Sequence, residues 1–113
     1  MDMSEEPVAG GTLLKPAGRI DSGNAAAFEA RLVQAVGTGG SGVVVDMVGL
    51  TYISSAGLRS LLVAAKRARP AGGRIILAAM SPHIREVFDL SGFSSLFEIH
   101  ADGAAAVAAL AGG

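Results

Sequence analysis

The sequence predicts an α/β fold, in which a mostly parallel sheet is packed with about four helices. Runs of β-branched residues and leucine are typical of buried strands, and they alternate with segments whose apolar residues recur every three or four positions, as in helices. This alternation extends from about residue 12 to residue 110. It favours parallel strands joined by right-handed crossovers, and the short helices leave room for four or five strands.

Composition excludes several classes of protein. The chain has 113 residues, enough for one domain, and it contains no cysteine, so a disulfide framework and a cysteine metal site are excluded. Its formal net charge of -1 does not favour direct binding of nucleic acid. No apolar run approaches the ~20 residues that cross a bilayer, and the acidic N-terminus does not resemble a secretory signal. We therefore expect a cytoplasmic protein without membrane insertion.

The N-terminal part contains one clear strand signal. Residues 1–9 are polar, and we expect either a loose tail or a weak antiparallel edge strand ahead of a domain that spans residues 10–111. The segment Thr12–Lys15 is predicted to be a strand. Proline cannot donate to a sheet ladder, so Pro16 is expected to mark the end of that strand or a bulge.

The first helix is expected after a turn at Gly18–Ser22. Three residues are alternative caps for it: Asp21, Ser22 and Asn24. Apolar residues then recur at helical spacing at Phe28, Leu32, Ala35 and Val36. The glycine-rich run Gly37–Gly42 is expected to end this helix. A phosphate-binding loop is disfavoured there, because the run follows a helix and lacks the Lys-Ser/Thr ending of a P-loop.

The central stretch joins a strand to a second helix. Val43–Asp46 is predicted to be a buried strand, and Gly49–Ile53 a connection. The helix is expected to begin at Ser54 and Ser55, because a hydroxyl can accept a hydrogen bond from a free N–H of the first turn. It continues to about Arg69, with one apolar face formed by Leu58, Leu61 and Leu62.

The C-terminal part repeats the alternation of strand and helix. Arg74–Ala79 is predicted to be a strand, and Ser81–Pro82 has the capping serine and first-turn proline of a helix start. That helix is expected to close at Ser91–Gly92. Leu96–Ile99 is predicted to be a short strand, and Asp102 to cap a last helix.

The two serines at the start of the second helix have two possible roles. A helix start is the positive end of the helix dipole, which suits a phosphate or another anion. Capping alone also accounts for Ser54 and Ser55, because serine is favoured at helix starts.

The same stretch resembles the signature of STAS domains, in particular the anti-sigma-factor antagonists. In that family the signature reads aspartate, serine, serine or threonine, glycine, and its first serine is phosphorylated by a partner kinase that is itself the anti-sigma factor. Ser55 falls on the phosphorylated position and Gly57 on the glycine. Ser54 stands in place of the aspartate, and Ala56 in place of the second serine or threonine.

The resemblance extends beyond this signature to about residues 11–110. It includes Asp46 before the motif, Gly18–Asp21, Gly72–Gly73, Ser81–Pro82 and Asp89–Gly92. It implies a STAS fold and a protein-binding module, not an enzyme. The unphosphorylated protein would bind a GHKL-type serine kinase and so release a sigma factor. The phosphate would come from ATP held by the kinase, which implies no cofactor in this chain, and a phosphatase would remove it.

The resemblance also implies which residues carry the switch. Ser55 is the expected phosphorylation site, and Ser54 is the second choice. No catalytic residue and no metal ligand is implied. The expected partner-binding residues are Asp21, Ser22, Asn24, Ser54, Ser55, Ala56 and Arg59.

Several alternatives stay open at this point. Some STAS domains are constitutive subunits of lipid-transport ABC systems and are not controlled by phosphate. A stand-alone nucleotide-binding domain has only the glycine-rich loops in its favour, and a serine hydrolase is disfavoured because Gly-x-Ser-x-Gly is absent. His83 and His100 are interpreted as ordinary surface or boundary histidines. Five basic residues form either a solvated face or a docking patch: Arg59, Lys66, Arg67, Arg69 and Arg74.

Overall fold

A computed structural model describes residues 1–37 and 42–112 of the chain. Within these residues, strands and helices alternate after an N-terminal hairpin. The strands are β1 (Asp2–Val8), β2 (Gly11–Ile20), β3 (Gly42–Asp46), β4 (Leu50–Ile53), β5 (Arg74–Ala78) and β6 (Glu98–His100). The helices are α1 (Ala25–Val36), α2 (Ser55–Ala68), α3 (Pro82–Leu90) and α4 (Gly103–Ala111), with a 3-10 turn at Phe93–Leu96 before β6.

The sheet confirms the predicted class. Its strand order is β1-β2-β3-β5-β6, and β4 pairs with β2 outside this path. β1 is antiparallel to β2, and the other pairs among the described strands are parallel. Of the two alternatives for residues 1–9, the structure has the edge strand.

The strand β4 was predicted to be a connection, and this prediction was wrong. Its central residues, Thr51 and Tyr52, interrupt the apolar pattern of a buried strand, but Leu50 and Ile53 are buried and the segment pairs with the second half of β2. The described part of the chain therefore has six strands, one more than the largest number expected.

The predicted turn at Gly18–Ser22 was wrong over Gly18–Ile20, and so was a strand end at Pro16, one of the two alternatives there. The other alternative, a bulge, has its nearest counterpart in the register shift between Gly18 and Arg19, where β2 pairs with β4. β2 continues to Ile20, and it changes partner along its length. Residues Gly11–Leu14 pair with β3, and Gly18–Ile20 pair with β4. Pro16 lies between these two paired stretches, where its missing N–H removes no bond to either strand.

The sheet separates two apolar layers. Helices α1, α2 and α3 pack on one face, and the largest side chains of that layer include Phe28, Leu32, Leu61, Ile84 and Phe88. Helix α4 covers part of the other face through Ala106 and Leu110, which pack on Val44 and Ile76. β3 is buried on both faces, which explains its uninterrupted run of valines.

The predicted helix starts at Ser54, Ser81 and Asp102 are confirmed, because each side chain accepts a hydrogen bond from an N–H of its first turn. The predicted strand at Leu96–Ile99 begins two residues later, since Leu96 still belongs to the 3-10 turn. In the glycine-rich run, residues 38–41 lie outside the described residues.

The helices in the described part of the chain are too short or too polar to cross a bilayer.

Candidate functional site

The starts of α1 and α2 lie side by side at one edge of the sheet. β2 and β4 are parallel, and their last residues, Ile20 and Ile53, pair with each other. The residues that follow these two strands are Asp21 after β2 and Ser54 after β4, and the Ser54 N–H donates to the Ile20 carbonyl at 2.8 Å. Because both strands end at the same edge, the two helix starts form one continuous surface, at the place where ligands bind in many parallel sheets.

The two serines at the start of α2 differ in what their hydroxyls do. Ser54 is the N-cap, with extended backbone, and its Oγ accepts a hydrogen bond from the Gly57 N–H at 3.2 Å. Ser55 is the first helical residue, and its side chain is exposed. The described residues provide no hydrogen-bond partner for the Ser55 hydroxyl. Capping therefore occupies Ser54 and leaves Ser55 free.

Gly57 brings the first turn of α2 directly onto the sheet. A Cβ at this position would lie 2.7 Å from Cγ1 of Ile53 and 2.8 Å from Cγ2 of Ile20, distances that real Cβ atoms essentially never show. Only glycine permits this approach without a shift of the surrounding chain. The glycine of the motif thus fixes the height of the two serines above the ends of β2 and β4.

The loop before α1 is fixed by its own polar groups. Asn24 donates to the Arg19 carbonyl at 2.9 Å and accepts from the Asp21 N–H at 2.9 Å, while Asp21 accepts from the Gly23 N–H at 2.9 Å. Asn24 occupies the N-cap position of α1, but its side chain makes no cap bond. Ser22 is exposed at the tip of the loop. Asp21 and Asn24 therefore shape the loop, and none of the three predicted cap residues makes a side-chain cap bond to α1.

A groove opens beside Ser55. It has a volume of about 290 Å³, and its two walls come from α2 and from the turn after α3. Arg59, one helical turn after Ser55, is exposed, and within residues 1–37 and 42–112 it forms no ion pair. The lining residues are Ser55, Leu58, Arg59, Leu62, Ser91 and Phe93.

Sequence reasoning missed the second wall of this groove. Ser91 and Phe93 were assigned only to a helix end and to the segment after it, and Leu62 only to an apolar face. One signal was available, because Leu58 and Leu62 are four residues apart and lie on one side of α2. The position of Phe93 opposite them depends on how α3 packs, which no local pattern states.

The five basic residues do not form one patch. Arg74 lies on β5, and its guanidinium binds the Glu98 carboxylate at 2.6 and 3.1 Å. Hydrogen bonds from His100 and then from Arg74 hold the pKa of the Glu98 carboxyl below its usual range. His100 is half-buried, with Nε2 2.7 Å from a Glu98 carboxylate oxygen, which agrees with its interpretation as a boundary histidine. Arg59 is left beside the groove, apart from the exposed residues near the end of α2, Lys66, Arg67 and Arg69.

The aspartate before the motif lies on the opposite face of the sheet. Asp46 is only 8% exposed, and its Oδ1 accepts a hydrogen bond from the Val48 N–H at 3.0 Å, which fixes the turn into β4. It lines a larger open groove of about 540 Å³ between the β1–β2 hairpin and α4. Its floor is apolar, with Val8, Leu13 and Val107, and none of the predicted partner-binding residues lines it.

The described residues contain no cluster of acidic and histidine side chains suited to a metal ion.

The family model of the STAS domain matches residues 3–106 of the chain. The chain belongs to the STAS domain family. A Bordetella bronchiseptica protein with the provisional name anti-sigma factor antagonist BtrV is 46% identical to it over 92 residues, which are 81% of this chain and 79% of that protein. The resemblance to the anti-sigma factor antagonists is therefore confirmed at the level of the family.

Solved structures share the fold of this STAS domain. The anti-sigma factor antagonist SpoIIAA in its unphosphorylated form superposes with a TM-score of 0.83 at 22% identity, covering 98% of this chain and 97% of that one. Bacillus SpoIIAA in the phosphorylated form superposes with a TM-score of 0.74 at 22% identity, covering 96% and 99%. At this identity the likeness shows the fold alone.

Proposed function

We propose that the chain is an anti-sigma factor antagonist whose binding is switched by phosphorylation of Ser55. In this proposal the unphosphorylated protein binds an anti-sigma factor that is a GHKL-type serine kinase, in the cytoplasm, and so releases the sigma factor. The chain is a binding module without catalytic residues of its own. The kinase transfers phosphate from its ATP, and a phosphatase restores the active form. The observation that carries the proposal is the exposed, uncommitted hydroxyl of Ser55 at the start of α2.

The geometry of Ser54 supports Ser55 as the target. A kinase needs the hydroxyl oxygen to attack the phosphate, and the Ser54 Oγ is half-buried and accepts the cap bond from Gly57. Moving Ser54 into a kinase active site would break that bond, whereas Ser55 can rotate without losing a contact. Ser54 thus remains a second choice with a structural cost.

The proposed docking surface combines the two neighbouring helix starts with the groove. The α1 loop and the α2 start are held against each other by the pairing of β2 with β4, so a partner can contact both at once. Leu62 and Phe93, both half-buried, add apolar area beside the hydroxyl, and Leu90, next to the groove wall, is 82% exposed. The partner-binding residues are proposed to be Asp21, Ser22, Asn24, Ser54, Ser55, Ala56 and Arg59.

Phosphorylation would act on the interface and leave the fold intact. It adds nearly two negative charges and three acceptor oxygens to Ser55. The start of α2 tolerates them, because helix N-termini favour anions. In a complex, however, the dianion would be removed from water against a surface that fits a neutral hydroxyl. A loss of about 3–5 kcal/mol weakens binding by roughly two to four orders of magnitude, enough to release a partner.

The proposal is tested by the affinity of two variants for the kinase. Ser55→Ala should bind about as well as the unmodified protein, whereas Ser55→Asp should bind at least about ten- to a hundred-fold more weakly, because it brings one of the two charges of a phosphate. Isothermal titration calorimetry with the GHKL-type serine kinases of the same organism measures both. Ser4→Asp is the matched control, because it places the same charge on an exposed serine of β1, outside the proposed docking surface, and should retain binding.

Mass spectrometry after incubation with kinase and ATP identifies the modified residue. Phosphate on Ser55, and none in the Ser55→Ala variant, is the expected result. Equal affinity of the Ser55→Asp and Ser55→Ala variants would reject the switch and favour a constitutive subunit instead.

A further inference from the structure

Arg59 is placed to respond to a charge on Ser55. The two residues are four positions apart on α2, a spacing at which side chains are neighbours on a helix surface, and both line the same groove. Three other arginines form ion pairs in the described part of the chain: Arg31 with Glu5, Arg74 with Glu98 and Arg85 with Asp89. Arg59 has no such acidic partner there, so its guanidinium is available.

We propose that Arg59 binds the phosphate of phosphorylated Ser55 within the same chain, so that the guanidinium leaves the partner surface when the phosphate forms. The inference rests on the proposed function for the presence of that phosphate. The guanidinium can donate two parallel hydrogen bonds to phosphate oxygens, which makes arginine a stronger partner than a point charge such as lysine.

The residue before Ser55 favours this pairing. Ser54 is uncharged, and its oxygen is occupied by the Gly57 N–H, so it neither repels the phosphate nor competes for Arg59. A carboxylate at position 54 would do both. The pairing is thus a consequence of two residues of this sequence taken together, a serine before the target and an arginine one turn after it.

With this pairing, phosphorylation would change the partner surface in two ways at once. Before phosphorylation the groove presents a free cation and a neutral hydroxyl to a partner. After phosphorylation the phosphate adds its negative charge, and the cation is turned inward to neutralise part of it. A partner with an acidic group opposite Arg59 would lose that contact and also meet the remaining negative charge.

The test uses the full chain with phosphoserine incorporated at position 55 during translation. The second pKa of the phosphate is measured by 31P NMR titration in the parent chain and in the Arg59→Gln and Arg59→Lys variants. A nearby cation stabilises the dianion and lowers this pKa, so Arg59→Gln should raise it by about 0.3 pH units, as an i,i+4 ion pair predicts. Arg59→Lys should recover part of the shift.

Arg67→Gln is the matched control. It removes the same charge from the same helix, but twelve residues after Ser55, about 18 Å along the axis and beyond the screening length of about 10 Å at 0.1 M salt. The control should leave the pKa unchanged. Arg59 and Arg67 are both exposed, so both variants should fold, and amide spectra recorded in the same NMR experiment verify this.

An Arg59→Gln pKa equal to that of the parent chain and of the Arg67→Gln control would overturn the inference. This outcome is distinct from failure of the proposed function, because the titration contains no kinase. Equal kinase binding by Ser55→Asp and Ser55→Ala would reject the switch without changing the titration, and an unshifted titration would reject the role of Arg59 without changing the binding result.

Discussion

Helices α2 and α3 begin in the same way but present different surfaces. Each has a serine N-cap in extended conformation whose Oγ accepts a bond from the amide three residues later, Ser54 from Gly57 at 3.2 Å and Ser81 from Ile84 at 3.3 Å. The next residue is Ser55 in α2 and Pro82 in α3, and both are exposed. Proline has neither a hydroxyl nor an N–H, so Pro82 offers no group that could be phosphorylated or donate a hydrogen bond. Ser55, at the same position of α2, has a free hydroxyl.

The third residue of each helix anchors it by opposite means. In α3 the side chain of Ile84 is fully buried and holds the helix to the core. In α2 the residue is Gly57, and the absence of a side chain lets the backbone approach Ile20 and Ile53. The start of α2 thereby lies close to the ends of β2 and β4. A serine cap is common to both helices. The features that indicate a site are found at α2 alone: the hydroxyl of Ser55, the absence of a side chain at Gly57, and the adjacent loop before α1.

Gly57→Ala should have the largest effect on stability. Helix propensity alone predicts that alanine stabilises a helix by about 1 kcal/mol relative to glycine. The new Cβ would meet Ile53 and Ile20 at 2.7 and 2.8 Å, and overpacking of this kind costs about 1–3 kcal/mol. The two terms leave a net fall of up to about 2 kcal/mol in the free energy of unfolding, measured in urea.

Whether Gly57→Ala lowers or raises the free energy of unfolding shows which effect is larger, overpacking or helix propensity. Ala30→Gly, at an exposed position inside α1, measures the propensity term by itself and should cost about 1 kcal/mol. A more stable Gly57→Ala variant would show that the start of α2 does not depend on close backbone packing.

Loss of either serine cap should have a smaller and similar effect. Ser54→Ala and Ser81→Ala each remove one acceptor for a first-turn N–H, which costs about 1 kcal/mol in typical helices. Ser54→Asp should be close to neutral, because a carboxylate caps as well as a hydroxyl. Urea unfolding of the three variants measures this comparison. A neutral Ser54→Ala variant would mean that the cap bond in α2 contributes little, and that Ser54 is free for another role.

Local chemistry made the helix starts predictable from the sequence. Ser81–Pro82 and Asp102 each determine a cap from a few adjacent residues, and the structure confirms both. The second half of β2 and the strand β4 were not predictable in this way. Gly18–Ile20 and Leu50–Ile53 look like a turn and a connection because each becomes a strand only by pairing with the other, about thirty residues away.

In the candidate site, too, the features set by adjacent residues were predictable, and those set by distant residues were not. The serines and Gly57 were assigned from their own segment, whereas Phe93 reaches the groove through the packing of α3. Proximity in sequence was misleading for Arg74, which was grouped with Arg59. The direction of β5 brings Arg74 instead to Glu98, twenty-four residues later. Residues whose role depends on a partner far along the chain are those that the sequence alone could not place.

Ser55→Ala should have the smallest effect on stability, although it removes the residue on which the proposed function depends. The hydroxyl is exposed and has no hydrogen-bond partner among residues 1–37 and 42–112, so the free energy of unfolding should change by no more than about 0.5 kcal/mol. Urea unfolding beside Ser54→Ala gives the comparison at adjacent residues. A loss at Ser55 as large as that at Ser54 would show that both hydroxyls hold the helix, and the start of α2 would then differ from that of α3 in packing only.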